Sequence, residues 1–376
     1  MAITKTGIHV DESSSFTNPL VYEENGQVNS IVADSLTPDT RYYTRGYVIS
    51  DGTTVYSQNT RSFKTVAPEY LTFMNPDTAN DIILTLKKNG SPAAITLQSS
   101  LNNGTNWTDI DMTGVTSQSF SIPAGKKLIF RGNNSTFSQS YNDYYQFQCQ
   151  SDIYVSGNIM TLVDKTGESL VIPCNCCFYA LFKNMSTLEN YGVTLPATTL
   201  TNDCYSNLFY GTGITSAPEL PALTMTQYCY AWMFAYSKLV NAPDILARTA
   251  ALGCCTCMFM EAGDLETPPS VLYPTSLYDD SYMNMFYYCV KLKESPIIYA
   301  EPGLNNEDDS MTQMFINCSE LSKITTYSTR WTSYNNIQYM FTNIASTGDY
   351  YNLGQAEIPV GWAQDVFANW NIYTSL

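Results

Sequence analysis

Apolar residues recur along this chain in two rhythms. Up to about residue 165 they alternate with polar ones: Ile82, Leu84 and Leu86 do so, as do Phe120 with Ile122 and Leu128 with Phe130. Period-two alternation marks strands with one buried face. Asp51-Gly52, Asn89-Gly90 and Asn103-Gly104 separate such runs, and these dipeptides favour hairpin turns. Tyr42, Tyr43, Tyr47, Val48 and Ile49 predict one strand, with Val55 to Phe63 as its return strand.

From Cys174 to about Ser346 the rhythm changes. A Met or Leu followed by Phe returns every 25 to 29 residues, at Phe182, Phe209, Phe234, Phe259, Phe286, Phe315 and Phe341. Five positions earlier stand Cys177, Cys204, Cys229, Cys254, Ser281, Ser310 and Asn336. Five or six positions later come Leu188, Ile214, Leu239, Leu265, Leu292 and Leu321. Pro218, Pro243 and Pro268 lie nine after the Phe in three consecutive units. A period in the twenties predicts a leucine-rich-type solenoid. Each unit is too short to bury its own apolar face, so units stack and share one core.

These patterns divide the chain into a β domain at 1–67, a β-sandwich module at 68–165, repeats at 166–345 and a cap at 346–376. The cap breaks the period; Trp362, Phe367 and Trp370 with Pro359 and Gly361 are expected to close the stack. The fold class is mainly β: sandwich-like modules followed by a solenoid.

Three resemblances rest on longer phrases. Leu36-Thr-Pro38-Asp-Thr40-Arg-Tyr42 resembles the tyrosine-corner segment of fibronectin type III domains, with Tyr42 as the corner tyrosine. The likeness covers residues 28–66, the last three strands of such a domain. A full sandwich takes about 100 residues, so this is either a partial one, trimmed or completed by a partner chain, or a small self-contained β domain. An incomplete sandwich leaves exposed edges that invite pairing, which makes this end the expected attachment or oligomerisation end. Leu97-Gln-Ser-Ser, Gly104-Thr-Asn-Trp107, Ile122-Pro-Ala-Gly125 through Asn134, and Ser156-Gly-Asn-Ile-Met160 resemble the β module that precedes BspA-like repeats in surface proteins of gut Bacteroidales and their phages. Cys204-Tyr-Ser-Asn-Leu-Phe209, Cys229-Tyr-Ala-Trp-Met-Phe234 and Leu195-Pro-Ala-Thr-Thr-Leu200 resemble the BspA-like leucine-rich repeat itself. The resemblance implies surface adhesion.

Composition narrows the function. Charged residues make up only 14% of the 376, against 29 Tyr, and net charge is −16. Nucleic-acid binding needs clustered Lys and Arg to displace counterions, so none is expected. No window reaches 18 apolar residues, so no membrane-spanning helix is expected. The opening Met-Ala-Ile-Thr-Lys-Thr-Gly has neither a basic nor an apolar leader segment. The expectation is a chain folded in a cytoplasm, with its eleven thiols reduced. A virion fits both cytoplasmic folding and surface adhesion. The reading is a phage fibre or decoration protein on head or tail. It would meet other virion proteins through its N-terminal region and a host surface protein or glycan through its repeats, with homo-oligomers open. The alternative is a bacterial cell-surface adhesin whose signal has been removed. A carbohydrate-active enzyme is a distant third.

Candidate chemistry is sparse. Cys174-x-x-Cys177 and Cys254-x-x-Cys257 have zinc-like spacing. Three layers of about 4.8 Å each put them about 14 Å apart, too far for bonds of about 2.3 Å to one ion. His9 is the only histidine and is expected to face water, so a Ser–His or Cys–His pair has no partner. Asp279-Asp280 and Glu307-Asp308-Asp309 read as solvated loops. No catalytic residue, cofactor or metal site is expected. The Tyr residues are the functional clue. Tyr205, Tyr230 and Tyr282 hold equivalent repeat positions, with Tyr287, Tyr288 and Tyr299 nearby. They form either a recognition face or a ladder packed layer on layer.

Overall fold

Among the described residues the protein is mainly β, with nineteen strands, no α-helix and one turn of 3-10 helix. The computed structural model describes residues 3–13, 15–26, 28, 41–57, 60–64, 69–273, 277–299, 309–328, 339–358 and 366–375. The chain divides into two units, 1–69 and 70–376.

The first unit is an antiparallel sheet of β1 (Ile3–Asp11), β2 (Leu20–Asn25), β3 (Arg41–Ser50), β4 (Thr53–Tyr56) and β5 (Arg61–Lys64). Its order is β2-β1-β3-β4, with β5 also on β3. Asp51 and Gly52 have φ of 49° and 74°, the left-handed pair that a tight β3–β4 turn requires. The expected return strand is thus two short ones. β1, outside the fibronectin-like stretch, lies between β2 and β3. Tyr42 is buried at the start of β3; Leu36 to Thr40 lie outside the described residues. Gly7 faces Tyr47, whose ring occupies the space a Cβ would need. The Tyr47 hydroxyl donates to Glu23 at 2.8 Å. His9 does not simply face water, as expected. It packs 5.0 Å from Tyr47 and 5.2 Å from Tyr56, beside the Arg45 guanidinium, which lies over Tyr56 at 4.2 Å. Burial first, then Arg45, lowers its pKa.

The second unit begins with two facing sheets. One is β10 (Ser117–Ile122), β7 (Ile82–Asn89) and β12 (Tyr144–Cys149). The other contains β13 (Ile153–Asn158), β6 (Leu71–Met74), β11 (Lys127–Gly132), β8 (Leu97–Ser100) and β9 (Thr108–Ile110), in that order. β7 buries Ile82, Leu84 and Leu86 and exposes Ile83, as period two requires. Phe73, Phe130 and Phe147 meet between the sheets, 4.7 to 5.8 Å apart. Asn89-Gly90 makes no hairpin: β7 and the next strand, β8, belong to different sheets. Asn103-Gly104 does turn between paired strands, β8 and β9.

This module and the repeats share one apolar core. β14 (Leu188–Thr194), in the first repeat, pairs in parallel with β13, whose other neighbour β6 is antiparallel. The module therefore supplies the edge on which the parallel arrangement starts.

Each repeat opens with a run of overlapping turns. Alternate amides bond back three residues, as Leu181 N to Phe178 O at 3.3 Å. The amides between them bond to the next repeat, as Phe182 N to Leu208 O at 3.1 Å. Every fourth residue is left-handed: Asp203, Asn207 and Gly211, then Tyr228, Trp232 and Tyr236. Asn, Asp and Gly tolerate that conformation best; the aromatic occupants hold it against a steric penalty. The chain turns every four residues, so pairs such as Cys204–Tyr205 and Leu208–Phe209 point inward together.

The Phe column forms one ladder. Successive rings from Phe182 to Phe341 lie 5.2 to 5.7 Å apart with planes within 27°. The anchors Leu188, Ile214, Leu239, Leu265, Leu292 and Leu321 are all buried. Beyond them the chain extends. Middle repeats touch there only at single bridges such as Ser216 with Asn241 and Asn241 with Thr267. Pro218, Pro243 and Pro268 follow directly, and proline cannot donate to a ladder. Later repeats form a parallel sheet: β15 (Val271–Leu272), β16 (Glu294–Ile298), β17 (Lys323–Thr326), β18 (Asp349–Asn352) and β19 (Asn371–Tyr373).

Residues 346–376 thus add two strands as well as closing the ladder. Phe367 tilts 57° against Phe341, Trp370 packs edge-on to Phe367, and its indole donates to Ala345 O at 3.1 Å. Pro359, Gly361 and Trp362 lie outside the described residues.

Candidate functional site: the outward face of the parallel sheet

The tyrosines singled out by repeat position are not a surface. Tyr205, Tyr230 and Tyr282 are each 1% exposed. They lie four residues before the Phe, on the inward half of the four-residue turn. Phe178, Tyr205 and Tyr230 form a second internal ladder, with steps of 5.9 and 6.2 Å. Burial pushes all three phenols well above their ordinary pKa, and the Tyr205 hydroxyl is buried without a partner. Of the others, Tyr288 is exposed on the turn side, while Tyr299 lies beside the parallel sheet.

The sheet β15–β19 turns Leu272, Ile298, Ile324 and Tyr350 inward, all buried. Period two sends their neighbours outward, and in β16 a register shift between Glu294 and Ile297 keeps Glu294 in line with Lys323. Three outward rows cross the strands. The first runs Glu294, Lys323, Asp349, Asn371. The second runs Val271, Ile297, Thr325, Tyr351, Tyr373. The third continues each strand to Tyr273, Tyr299 and Tyr327, whose rings lie 4.3 and 4.5 Å apart. Arg248 sits over the outer end of this ladder, 5.2 Å from Tyr273. Tyr351 stacks on Tyr373 at 4.9 Å with planes 15° apart. Tyr273 and Tyr373 are 40% and 39% exposed, and the rest are half-buried.

The first row is polar and internally paired. Lys323 Nζ donates to Glu294 Oε2 at 2.8 Å, and that carboxylate raises the lysine pKa. Asn371 Nδ2 donates to Asp349 Oδ1 at 2.9 Å. The Asp349 charge, first, raises the pKa of Tyr373.

A groove of about 810 Å³ runs over this face, from Ala242 to Leu353. Glu294, Ser295 and Lys323 line one side, Tyr327 and Leu353 the other, with Ile297, Thr325 and Tyr351 between. At its N-terminal end Asp244 Oδ1 accepts from the amide and hydroxyl of Ser270, both at 2.8 Å. The groove crosses five successive repeats, roughly 19 Å at about 4.8 Å per step.

The thiols belong to the core. Cys177, Cys204, Cys229 and Cys254 are fully buried in one column, and all eleven Cys are free. Burial pushes Cys204 up to about 12 and holds Cys177 well above the ordinary thiol range. Cys174 differs: it is half-buried, and a hydrogen bond from Cys177 first of all lowers its pKa to about 7. Among the described residues no three His, Cys, Asp or Glu side chains converge as a metal-holding group. Asp279 and Asp280 are half-buried; burial, then Asp309 and Asp279, raises the pKa of Asp280. Glu307 and Asp308 lie outside the described residues.

Counting from the Phe column missed Tyr273, Tyr327, Tyr351 and Tyr373. A signal existed: an aliphatic or Thr residue followed by Tyr at 272–273, 298–299, 326–327 and 372–373, the first three 26 and 28 residues apart. The first three read inward–outward once strand register is known, while Ile372 on the last strand is exposed. No protein-family model, no curated protein and no solved structure matches this chain.

Proposed function

We propose that this chain is a non-enzymatic adhesion protein of a phage virion, a fibre or decoration protein that holds a host surface through the outward face of its parallel strands. In this reading residues 166–345 form a BspA-like leucine-rich repeat solenoid. The stacked Phe column and the parallel register of β15–β19 support it. The observation that carries adhesion is the outward aromatic face itself. Side chains at Tyr273, Tyr299, Tyr327, Tyr351 and Tyr373 gain nothing for the core there. Tyr supplies contact area at low entropy cost, which favours it at interfaces. The N-terminal sheet fits attachment: among the described residues β2 is an edge strand bearing exposed Leu20 and Val21, and edges pair with other chains.

The test is peptide mass spectrometry of purified virions together with adsorption. The chain should be present at structural copy number, and excess soluble protein should slow phage adsorption. Its presence only in bacterial envelopes, behind a lipoprotein signal, would favour a bacterial adhesin instead. Asp244 and Glu294 both line the groove, and two carboxylates are the machinery of glycoside hydrolysis. Release of reducing ends from host polysaccharide would overturn the non-enzymatic reading.

A further inference from the structure

We infer that the groove over β16–β18 binds a neutral oligosaccharide, lying along the stack with one sugar ring against the free face of Tyr351. The proposal rests on the adhesion reading and names its ligand class.

Tyr351 is stacked on one side only. Its ring and that of Tyr373 are 4.9 Å apart and nearly parallel, so the ring faces point along the stack, from strand to strand. One face is taken by Tyr373. The neighbour on the other side is Thr325, whose side chain is too short to cover a ring. Both line the groove. Tyr299, by contrast, has both ring faces taken, lying between Tyr273 and Tyr327. Tyr351 thus offers a ring face opening into a long groove.

The lining selects the ligand. Pro268, Pro269 and Ile297 give apolar surface, while Ser270, Thr325 and Tyr327 bring hydroxyls. A ligand with an apolar face and a rim of hydroxyls matches both, and a pyranose ring is that shape. A groove open along several repeats suits a chain of such rings more than one compact molecule. Charge disfavours polyanions: among the described residues Lys323 is the one cation in the lining and is paired with Glu294, on a chain of net charge −16. Like-signed ligands would be repelled.

The test uses the full chain, an array of neutral hexose and N-acetylhexosamine oligomers, uronate and sulfated oligomers as the acidic arm, and intact host cells. Two variants probe the site. Tyr351→Ala removes the ring. Thr325→Tyr extends the stack by one ring and covers the free face while adding, not removing, packing; melting temperature checks the fold of both. The expected result is binding to neutral oligomers, weakened roughly tenfold or more by both variants. Failure of every neutral oligomer to bind, preference for the acidic arm, or full binding by a folded Thr325→Tyr variant would overturn the proposal. Host-cell binding separates the two levels. Cells bound in a way that free neutral oligomers do not compete would sink the ligand class and leave adhesion standing. No binding to cells by the unaltered chain would sink the adhesion reading.

Discussion

The Phe147 amide donates to the Leu181 carbonyl at 2.8 Å, the bond that Phe182 makes to Leu208 one repeat later. The Phe147 ring also stacks on Phe182, at 6.3 Å and 21°. β12 therefore occupies the place of a preceding repeat, and the ladder runs on into Phe73 and Phe130. Residues 70–376 should then unfold in one transition. Phe147→Ala should cost about 3–5 kcal/mol and raise the labelling rates of Cys177 and Cys204 in the repeats. Calorimetry with site-resolved thiol labelling checks this. Two separate transitions within 70–376 would count against a shared core.

The left-handed positions carry a testable strain. Gln313 has φ 58° and is half-buried. Gln313→Gly should stabilise by about 1 kcal/mol, the order of the left-handed penalty, and Gln313→Val should destabilise, because branching at Cβ worsens the clash. Gly253 is the opposite case, with φ 54° and the ring of Tyr228 in the space of its missing Cβ. Gly253→Ala should destabilise by about 1–3 kcal/mol. Tyr228→Ala should remove part of that cost, giving a non-additive double-mutant cycle. Urea midpoints measure both.

Alkaline pH should weaken the fold. Burial, first of all, pushes Cys176, Cys204 and Cys257 up to about 12. Unfolding returns thiols to about 8.5 and phenols to about 10. Above that range the unfolded chain holds fewer protons than the folded one, so stability falls as pH rises. Their contribution is complete below about pH 8.5 and is lost towards 12. Cys174, held near 7, works the other way but is a single group. A denaturant midpoint that is unchanged from pH 8 to 10.5 would contradict the buried-thiol column.

Native thiol chemistry should single out Cys174. At neutral pH it should react with iodoacetamide first, its rate rising through pH 7 as the thiolate forms. The other ten thiols should titrate only after denaturation. Cys177→Ala should slow Cys174 by removing the hydrogen bond that stabilises its thiolate. Mass spectrometry of the labelled peptides reads this directly.

Much of the core was legible because it repeats. The spacing of Phe182, Phe209 and Phe234 located a column, and a column at fixed period stacks. The alternation at Ile82, Leu84 and Leu86 likewise named a buried face. Direction was not legible. Whether Tyr205 points in or out depends on a four-residue turn with a left-handed residue at Asn207, which neither the strand period nor the helix period describes. The outward Tyr rows were hidden because Thr325, Tyr351 and Tyr373 are neighbours only through strand register. Proline explains why register could not be read from the early repeats: Pro218 and Pro243 interrupt there the ladder that Ile297 and Thr325 sustain later.

The outward sheet face as the binding surface is tested most directly by binding of purified protein to host cells. Variants would be altered on the sheet side at Tyr327→Ser with Tyr351→Ser, or on the turn side at Tyr236→Ser with Tyr288→Ser. The account predicts a loss of roughly tenfold or more for the sheet-side pair and near-normal binding for the turn-side pair. Normal binding by a folded sheet-side pair, or loss confined to the turn-side pair, would contradict it.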